Sequence, residues 1–420
     1  MGWNYLYENF IRFMYRSFLL VLLLVFSVLP LGSRSQPAGK KIRPVKAPAV
    51  ITGAERTNIY LPKLKGKRVG ILVNQTSVVG DEHLLDVLLK NKVKVVRVFT
   101  PEHGFRGSAD AGEHVGNSKD KKTGLPIVSL YGDNKKPKKE QLKDIDVLIY
   151  DLQDVGVRFY TYISSLEYAM EACAENGKEI MVLDRPNPNG HYVDGPVLDK
   201  SLRSFVGMQP VPVVYGMTAG EYARMLKGEK WFNSAEKARL TVVSCENYDH
   251  ETLYSLPVPP SPNLKTMAAI YLYPSLCLFE GTVISVGRGT DKPFQQWGHP
   301  DLKEKAGYSF TPHSTTGASK PLYEGKECYG QLVAETDKEA LRKNESIFNI
   351  KWLLKAYNWY PDKDNFFNAN NFFDKLAGTA ELQKQIRQGM TEREIRDSWN
   401  KDIDTFMKIR KKYLLYNDFE

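Results

Sequence analysis

Short apolar runs rich in Val, Ile and Leu alternate with amphipathic segments through the first part of the chain. Six such runs predict β-strands, because a parallel strand buried on both faces is apolar almost throughout. These runs are Arg68–Asn74, Val93–Thr100, Leu125–Leu130, Asp146–Asp151, Glu179–Asp184 and Leu240–Cys245. Helical patterns occupy Glu82–Asn91, Ser164–Asn176 and Met217–Leu226. Strands that alternate with helices indicate βαβ units, so the predicted fold class is α/β with a doubly wound parallel sheet.

The pattern becomes less regular in the second half of the chain. A proline-rich stretch at Leu256–Asn263 is the predicted domain boundary, and a strand is expected around Thr282–Val286. Longer helical segments follow at Glu339–Tyr357 and Ala380–Tyr413. We therefore predict an N-terminal domain over residues 57–263 and a smaller α+β domain over residues 264–420.

The N-terminus has the order of a secretory signal peptide. Arg12 and Arg16 precede an apolar run, Phe18–Leu31, and small and polar residues follow it. This run is short for a membrane span, which needs about 20 residues. We predict a cleavable signal peptide over residues 1–35, a linker over 36–56, and a periplasmic or otherwise exported protein with no stable membrane span after cleavage. An uncleaved anchor is the alternative.

Composition adds little to this picture except in its charge. The chain is 42% hydrophobic and 25% charged, which is ordinary globular composition. Its net charge of +9 lies in short clusters such as Lys135–Lys139. These clusters have no interleaved aromatic residues, so no nucleic acid partner is predicted. A basic exported protein would suit an acidic polymer as its partner. The four cysteines are widely spaced, which favours buried thiols; one disulfide is the alternative.

Polar residues follow the predicted strands where each strand ends. The carboxyl ends of parallel strands share one sheet edge, where ligands bind in open α/β sheets. The candidate site residues at this edge are Asn74, Glu102, His103, Arg106, Asp151, Asp154, Arg158 and Tyr160. Pro101 and the glycines at 104 and 107 shape the turn around Glu102. As the structural alternative, Asp151 and Asp184 would hold turns or cap helices, and Arg158 would pair with one of them.

A second charged cluster follows the predicted domain boundary. Glu280 stands beside a glycine, Arg288 lies between two glycines, and Asp291 follows. We expect this segment to form the opposite wall of the cleft, with Arg288 binding a substrate carboxylate in bidentate geometry. A structural ion pair between Glu280 and Arg288 is the alternative.

Several catalytic and nucleotide-binding motifs are absent from the sequence, which limits the reactions and cofactors to consider. The chain has no Gly-x-Ser-x-Gly elbow, no P-loop, and no Gly-x-Gly-x-x-Gly after the first strand, so no cofactor is predicted. His103, His114 and nearby aspartates match no metal-ligand motif, so no metal is predicted. A carboxylate-rich crevice with aromatic neighbours suits sugar chemistry, in which one carboxylic acid protonates the leaving oxygen.

Several longer motifs carry a family resemblance. The segments NQTSV, TPEHGFRG, DLQDVGVRFYTY, DRPNPNG, PSPNL and YPSLCLFEGT resemble the NamZ-type exo-β-N-acetylmuramidases, glycoside hydrolase family 171. The resemblance implies a Rossmann-like N-terminal domain, an auxiliary C-terminal domain and a cleft between them. It also implies release of N-acetylmuramic acid from non-reducing ends of peptidoglycan fragments such as MurNAc-GlcNAc muropeptides. The glutamate of the family's P-E-H-G motif, its proposed catalytic residue, corresponds to Glu102.

A mechanism consistent with both lines of reasoning has Glu102 as general acid. His103 and Arg106 would orient it or bind the sugar, and Arg158 or Arg288 would pair with the lactyl carboxylate of muramic acid. The second carboxylate stays open among Asp151, Asp154, Glu280 and Asp291. Two other functions remain as alternatives, a non-catalytic wall-binding protein and a metal-dependent amide or ester hydrolase.

Overall fold

A seven-stranded sheet organises the first part of the chain in the computed structural model, which describes residues 48–102, 104–105 and 118–419. The strands of the described chain are β1 (Arg68–Val73), β2 (Val78–Val79), β3 (Glu82–His83), β4 (Lys94–Thr100), β5 (Ser118–Lys119), β6 (Pro126–Ser129), β7 (Val147–Asp151), β8 (Glu179–Leu183), β9 (Arg239–Val243), β10 (Gln296–His299), β11 (Tyr308–Phe310) and β12 (Cys328–Leu332). The predicted signal peptide, His103, Arg106 and His114 lie outside the described residues.

The order of strands in this sheet is β5-β6-β4-β1-β7-β8-β9. All neighbours are parallel except β5 and β6. The chain runs outward from β1 to β6 and then returns to β7 on the other side of β1, so the carboxyl ends of β1 and β7 flank a topological switch point. The predicted α/β class and all six predicted strands are confirmed.

Helices cover both faces of the sheet and build most of the C-terminal half. They are α1 (Thr57–Leu64), α2 (Leu84–Lys90), α3 (Lys139–Leu142), α4 (Tyr162–Glu175), α5 (Ala219–Gly228), α6 (Met267–Leu276), α7 (Asp337–Asn344), α8 (Lys351–Trp359), α9 (Phe372–Ala377), α10 (Glu381–Arg387), α11 (Glu392–Asp397) and α12 (Asn400–Arg410). Helices α1 and α2 share a core with one face of the sheet, whereas α4, α5 and the C-terminal elements share the other. This second core is continuous between the two halves of the chain.

The predicted helix at Met217–Leu226 begins two residues later, at Ala219. Thr218 is its N-cap, and its hydroxyl accepts a hydrogen bond from the Glu221 N–H at 3.3 Å. The Glu221 carboxylate in turn accepts from the Thr218 N–H at 2.9 Å, which completes a capping box. A capping box fixes where a helix starts, and the apolar pattern alone does not locate it.

The C-terminal half departs from three of the predicted elements. Thr282–Val286 is not a strand; Thr282 and Ser285 each form only an isolated bridge, with Phe367 and Gly298. The predicted helix at Glu339–Tyr357 is two helices, α7 and α8, and the segment Ala380–Tyr413 contains three, α10 to α12. Left-handed backbone, which cannot continue a helix, ends α7 at Glu345 (φ 56°) and follows α10 at Gly389 (φ 73°). A three-stranded antiparallel sheet, β10-β12-β11, completes the α+β part.

The predicted linker is described only from residue 48, and its last residues, from Ala49 onward, belong to the folded unit that extends to Glu420. Ile51 pairs with Glu246, and Ala54 is fully buried. No helix within the described residues is long and apolar enough to cross a membrane. The four cysteines are buried and unpaired, as the favoured interpretation of their spacing predicted.

Candidate active site

A cleft of about 680 Å³ lies between the end of β4 and the segment that follows α6. Residues from both halves of the chain line it: Glu102, Tyr131, Lys135, Phe159, Thr161, Phe205, Tyr273, Cys277, Glu280, Arg288, Lys320 and Phe372 are among them. A narrower extension of about 60 Å³ shares Glu102, Thr161 and Arg288, and Tyr160 contributes to its wall. The cleft therefore brings Glu102 of the P-E-H-G motif together with Glu280 and Arg288 of the second charged cluster.

A tight turn after β4 carries Glu102 to the cleft. The Gly104 N–H donates to the Pro101 carbonyl at 3.2 Å, and Gly104 has a φ of 73°, which glycine adopts at no steric cost. The Thr161 hydroxyl donates to Glu102 Oε2 at 3.2 Å. Thr161 is also the N-cap of α4, whose amino end favours a nearby carboxylate. The first turn of α4 therefore holds Glu102 in place.

An ion pair forms the opposite wall. Arg288 Nε donates to Glu280 Oε1 at 2.6 Å, and Cys277 Sγ donates to Glu280 Oε2 at 3.5 Å. Burial alone would lower the pKa of Arg288, but the Glu280 carboxylate outweighs this and raises it. The guanidinium lies over the Phe294 ring, 5.2 Å from its centroid. Neither Arg288 Nη group hydrogen-bonds to a described residue, which leaves both donors for a ligand.

Asp151 and Asn74 are buried below the cleft rather than in its wall. Asp151 forms a bidentate ion pair with Arg185, with Oδ1 2.6 Å from Nε and Oδ2 3.0 Å from Nη2. Asn74 Nδ2 donates to the Tyr162 hydroxyl at 2.8 Å, and its Oδ1 accepts from the N–H and hydroxyl of Thr76. Their hydrogen bonds connect the ends of β1 and β7 to their neighbours, which agrees with the structural alternative for Asp151.

Asp154 is also buried outside the cleft lining. It accepts hydrogen bonds from the Gly156 N–H at 2.7 Å and from the Tyr215 hydroxyl. Burial raises the pKa of Asp154 to about 6, although both hydrogen bonds act in the opposite direction. Asp291, by contrast, is exposed and does not line the cleft. Of the four carboxylates left open as partners of Glu102, Glu280 is the one in the cleft.

Arg158 is fully buried and binds main-chain carbonyls. Nη1 donates to Pro196 O and Val211 O, each at 2.7 Å, and Nη2 donates to Leu376 O at 3.0 Å and Ala377 O at 2.7 Å. Burial lowers its pKa to about 9. Arg158 therefore links the loop that follows β7 to the end of helix α9 through these hydrogen bonds. Between the two arginines expected to bind a substrate carboxylate, it is Arg288 that faces the cleft.

Several cleft residues were not singled out from the sequence, among them Thr161, Tyr273 and Lys135. Thr161 and Tyr273 lie inside the quoted motifs, but no pattern distinguishes them there. Lys135 belongs to a cluster interpreted as an exposed loop, and yet its Nζ lies 5.2 Å from the Phe205 ring centroid inside the cleft. Lys135 could be identified as a cleft residue only from the tertiary structure, which places its loop beside Phe205.

The residues that the structure describes include no group of three or more His, Cys, Asp or Glu side chains arranged to hold a metal ion. Tyr160, in the narrow extension, donates its hydroxyl hydrogen bond to Pro260 O at 2.9 Å. The described lining of the cleft offers carboxylate, guanidinium, ammonium, hydroxyl, thiol and aromatic groups.

Comparison with known families gives two matches that together span most of the chain. The model for "Exo-beta-N-acetylmuramidase NamZ, N-terminal" matches residues 69–268, and that for the C-terminal part matches residues 271–416. The chain is 38% identical over 412 residues to peptidoglycan beta-N-acetylmuramidase NamZ of Bacillus subtilis (strain 168), which covers 94% of this chain and 97% of that protein.

Two crystal structures of DUF1343 family proteins from Bacteroides fragilis NCTC 9343 share the fold. One is 49% identical with a TM-score of 0.81, and covers 88% of this chain and 100% of its own. The other is 31% identical with a TM-score of 0.72, and covers 88% of this chain and 99% of its own.

Proposed function

This chain belongs to the exo-beta-N-acetylmuramidase NamZ family, and from that premise we propose that it releases N-acetylmuramic acid from the non-reducing ends of peptidoglycan fragments. Membership in the family makes the chain a glycosidase that acts on peptidoglycan. Our proposal concerns three further points: the exo mode of cleavage, the muropeptide substrate and the roles of individual residues.

One observation carries the residue assignments: two carboxylates, Glu102 and Glu280, line the same cleft from opposite halves of the chain. Glycosidases use such a pair, one group as acid and the other as nucleophile or base. Asp151 and Asp154 make their hydrogen bonds inside the protein, so they offer no comparable access to a sugar.

In the proposed reaction Glu102 protonates the glycosidic oxygen. The bond from that oxygen to the anomeric carbon breaks as positive charge develops on the sugar ring, and water supplies the hydroxyl of the released sugar. Glu280 attacks the anomeric carbon or activates this water. Attack by Glu280 gives retention of anomeric configuration, and water activation gives inversion, so NMR of the first-formed anomer distinguishes these roles.

Arg288 is the proposed binder of the lactyl carboxylate that distinguishes muramic acid from glucosamine. Its Nε is occupied by Glu280, and its two Nη groups provide the fork that a carboxylate accepts. The rings of Phe159 and Tyr273, which line the same cleft, provide apolar surface for the sugar.

The proposed location is outside the cytoplasm, through removal of the predicted signal peptide at residues 1–35. This proposal rests on the order of basic, apolar and small residues there and on the extracytoplasmic position of peptidoglycan. N-terminal sequencing of the secreted protein tests it; a first residue within the apolar run, or an intact Met1, contradicts it.

The decisive experiment measures sugar release from a chromogenic N-acetylmuramic acid glycoside by the Glu102→Gln variant. We expect kcat to fall by about 10²- to 10⁴-fold, the usual contribution of a general acid. Glu236→Gln removes a similar carboxylate from an exposed position and should leave kcat unchanged. Full activity of Glu102→Gln would exclude the general-acid role.

The same assay distinguishes the two alternative functions. A wild-type protein that binds muropeptides and releases no sugar would be a wall-binding protein. Loss of activity with a chelator, restored by a metal ion, would favour a metal-dependent hydrolase.

A further inference from the structure

A second concavity, of about 450 Å³, lies at the opposite edge of the main sheet from the cleft. It is formed by the loop between α1 and β1 and the loop between α2 and β4. Arg68 and Lys94, the first residues of β1 and β4, are paired in register there. Glu102 follows the other end of β4, and that strand of seven residues spans roughly 23 Å. The two concavities are therefore separate surfaces.

Four lysines, Lys65, Lys67, Lys92 and Lys94, line this concavity, and its lining contains no acidic residue. We call it the lysine groove. The lysines come from two segments with the same alternation, KLKGK at 63–67 and KNKVK at 90–94. Two loops distant in sequence thus bring their positive charges to one place.

Most of this charge is not neutralised within the protein. Lys67 pairs with Glu179 at 2.8 Å. Lys65, Lys92 and Lys94 are exposed and form no ion pair with a described residue. Like charges that line one concavity repel each other, and an anionic ligand would relieve that repulsion.

We propose that the lysine groove binds the carboxylates of peptidoglycan strands at a site separate from the catalytic cleft. This proposal rests on the proposed function, because a peptidoglycan glycosidase meets a polymer whose peptide side chains repeat free carboxylates. Lysine ammonium groups act as mobile point charges, which suits a flexible, repeating anion better than one rigid ligand.

A second contact would raise the effective concentration of glycan ends at the cleft without adding contacts to the scissile sugar. A groove suits a polymer strand better than a membrane, because membrane-surface binding uses a protruding face with apolar side chains that enter the lipid. Anionic lipid therefore serves as the competing outcome of the test.

The test is co-sedimentation of the mature protein with insoluble peptidoglycan sacculi at increasing salt. The groove variant carries Lys65→Gln, Lys92→Gln and Lys94→Gln. The matched control carries Lys401→Gln, Lys408→Gln and Lys411→Gln, three exposed lysines at α12. At low salt we expect the groove variant to bind about tenfold more weakly, and the control to bind like wild type. High salt, or amidation of the sacculus carboxylates, should remove the difference.

Three results would overturn the proposal. Equal weakening in both variants would mean that net charge alone matters, and no weakening in either would mean that the groove does not bind the wall. Selective loss of binding to phosphatidylglycerol vesicles, with sacculus binding intact, would assign the groove to a membrane. Hydrolysis of the small chromogenic glycoside should stay unchanged in both variants, so failure of the catalytic proposal would appear there and not in the binding assay.

Discussion

The end of β4 and the ends of β7 and β8 lie at the same edge of one sheet, and each delivers a carboxylate. Glu102, after β4, reaches an open cleft. Asp151, at the end of β7, is fully buried against Arg185. Asp184, after β8, accepts hydrogen bonds from the Thr218 hydroxyl at 2.7 Å and the Tyr416 hydroxyl at 2.6 Å.

This difference shows that position at a strand end does not decide what a carboxylate does. The groups packed around it decide. Tyr416, near the C-terminus, folds back over the end of β8 and helps to bury Asp184, whereas Glu102 lines a cleft that no described residue closes in this way. The carboxylates that are buried among internal donors hold the fold, whereas Glu102 lines an open cleft.

The largest expected effect comes from breaking the buried pair. Asp151→Asn leaves the Arg185 charge buried with a neutral partner, so we expect a loss of about 3–5 kcal/mol in the free energy of unfolding, measured with urea. Glu102→Gln should change stability by less than about 1 kcal/mol. If Asp151→Asn is stable but inactive, Asp151 has the catalytic role that its strand-end position predicted.

The second-largest expected effect is a pH dependence of the free energy of unfolding that arises from Asp154. Burial raises the pKa of Asp154 to about 6 in the folded protein, against about 3.9 in an unfolded chain. Between these two pKa values the folded protein binds more protons than the unfolded chain. The contribution of Asp154 to the free energy of unfolding is therefore fully present below pH 4 and is lost as the pH rises through about 6. It amounts to at most about 3 kcal/mol.

Comparison of Asp154→Asn with wild type isolates that contribution. The variant should show a smaller fall in unfolding free energy between pH 4 and pH 7, measured by urea denaturation at several pH values. Parallel pH curves for the two proteins would mean that Asp154 titrates alike in the folded and unfolded states.

A smaller effect is expected at the cleft wall. Arg288→Gln should weaken competitive inhibition by free N-acetylmuramic acid about 30-fold, because a charge-assisted hydrogen bond is lost. Inhibition by N-acetylglucosamine, which has no lactyl carboxylate, serves as the internal control for disturbance of Glu280. An unchanged ratio of the two inhibition constants would exclude Arg288 as the carboxylate-binding residue.

The smallest effect tests how Glu102 is held. Thr161→Val removes the hydroxyl that donates to Glu102, so we expect kcat to fall about fivefold, which corresponds to one ordinary hydrogen bond. KM should stay the same, and Thr161→Ser should restore the rate. An equal loss in the serine variant would point to altered packing at the start of α4 instead.

The six parallel strands of the sheet were predictable because each lies in a largely apolar run, whereas the two-residue strand β5 carries no such pattern. The C-terminal helices were predicted too long, because left-handed backbone at Glu345 and Gly389 interrupts a pattern that stays amphipathic across the break. Thr282 and Ser285 form isolated bridges, with Phe367 and with Gly298 of β10, so this β-branched segment pairs at two separate points and does not become a strand.

By itself the sequence determined the alternation of strands and helices, the turn that presents Glu102, and the family resemblance carried by its motifs. These are local properties, set by apolar periodicity and by residues close together in the chain. Only the tertiary structure decided that Glu280 and Arg288 face Glu102 while Asp151 and Arg158 are buried. Burial and charge pairing depend on residues far apart in sequence, such as Arg185 for Asp151 and the Leu376 carbonyl for Arg158.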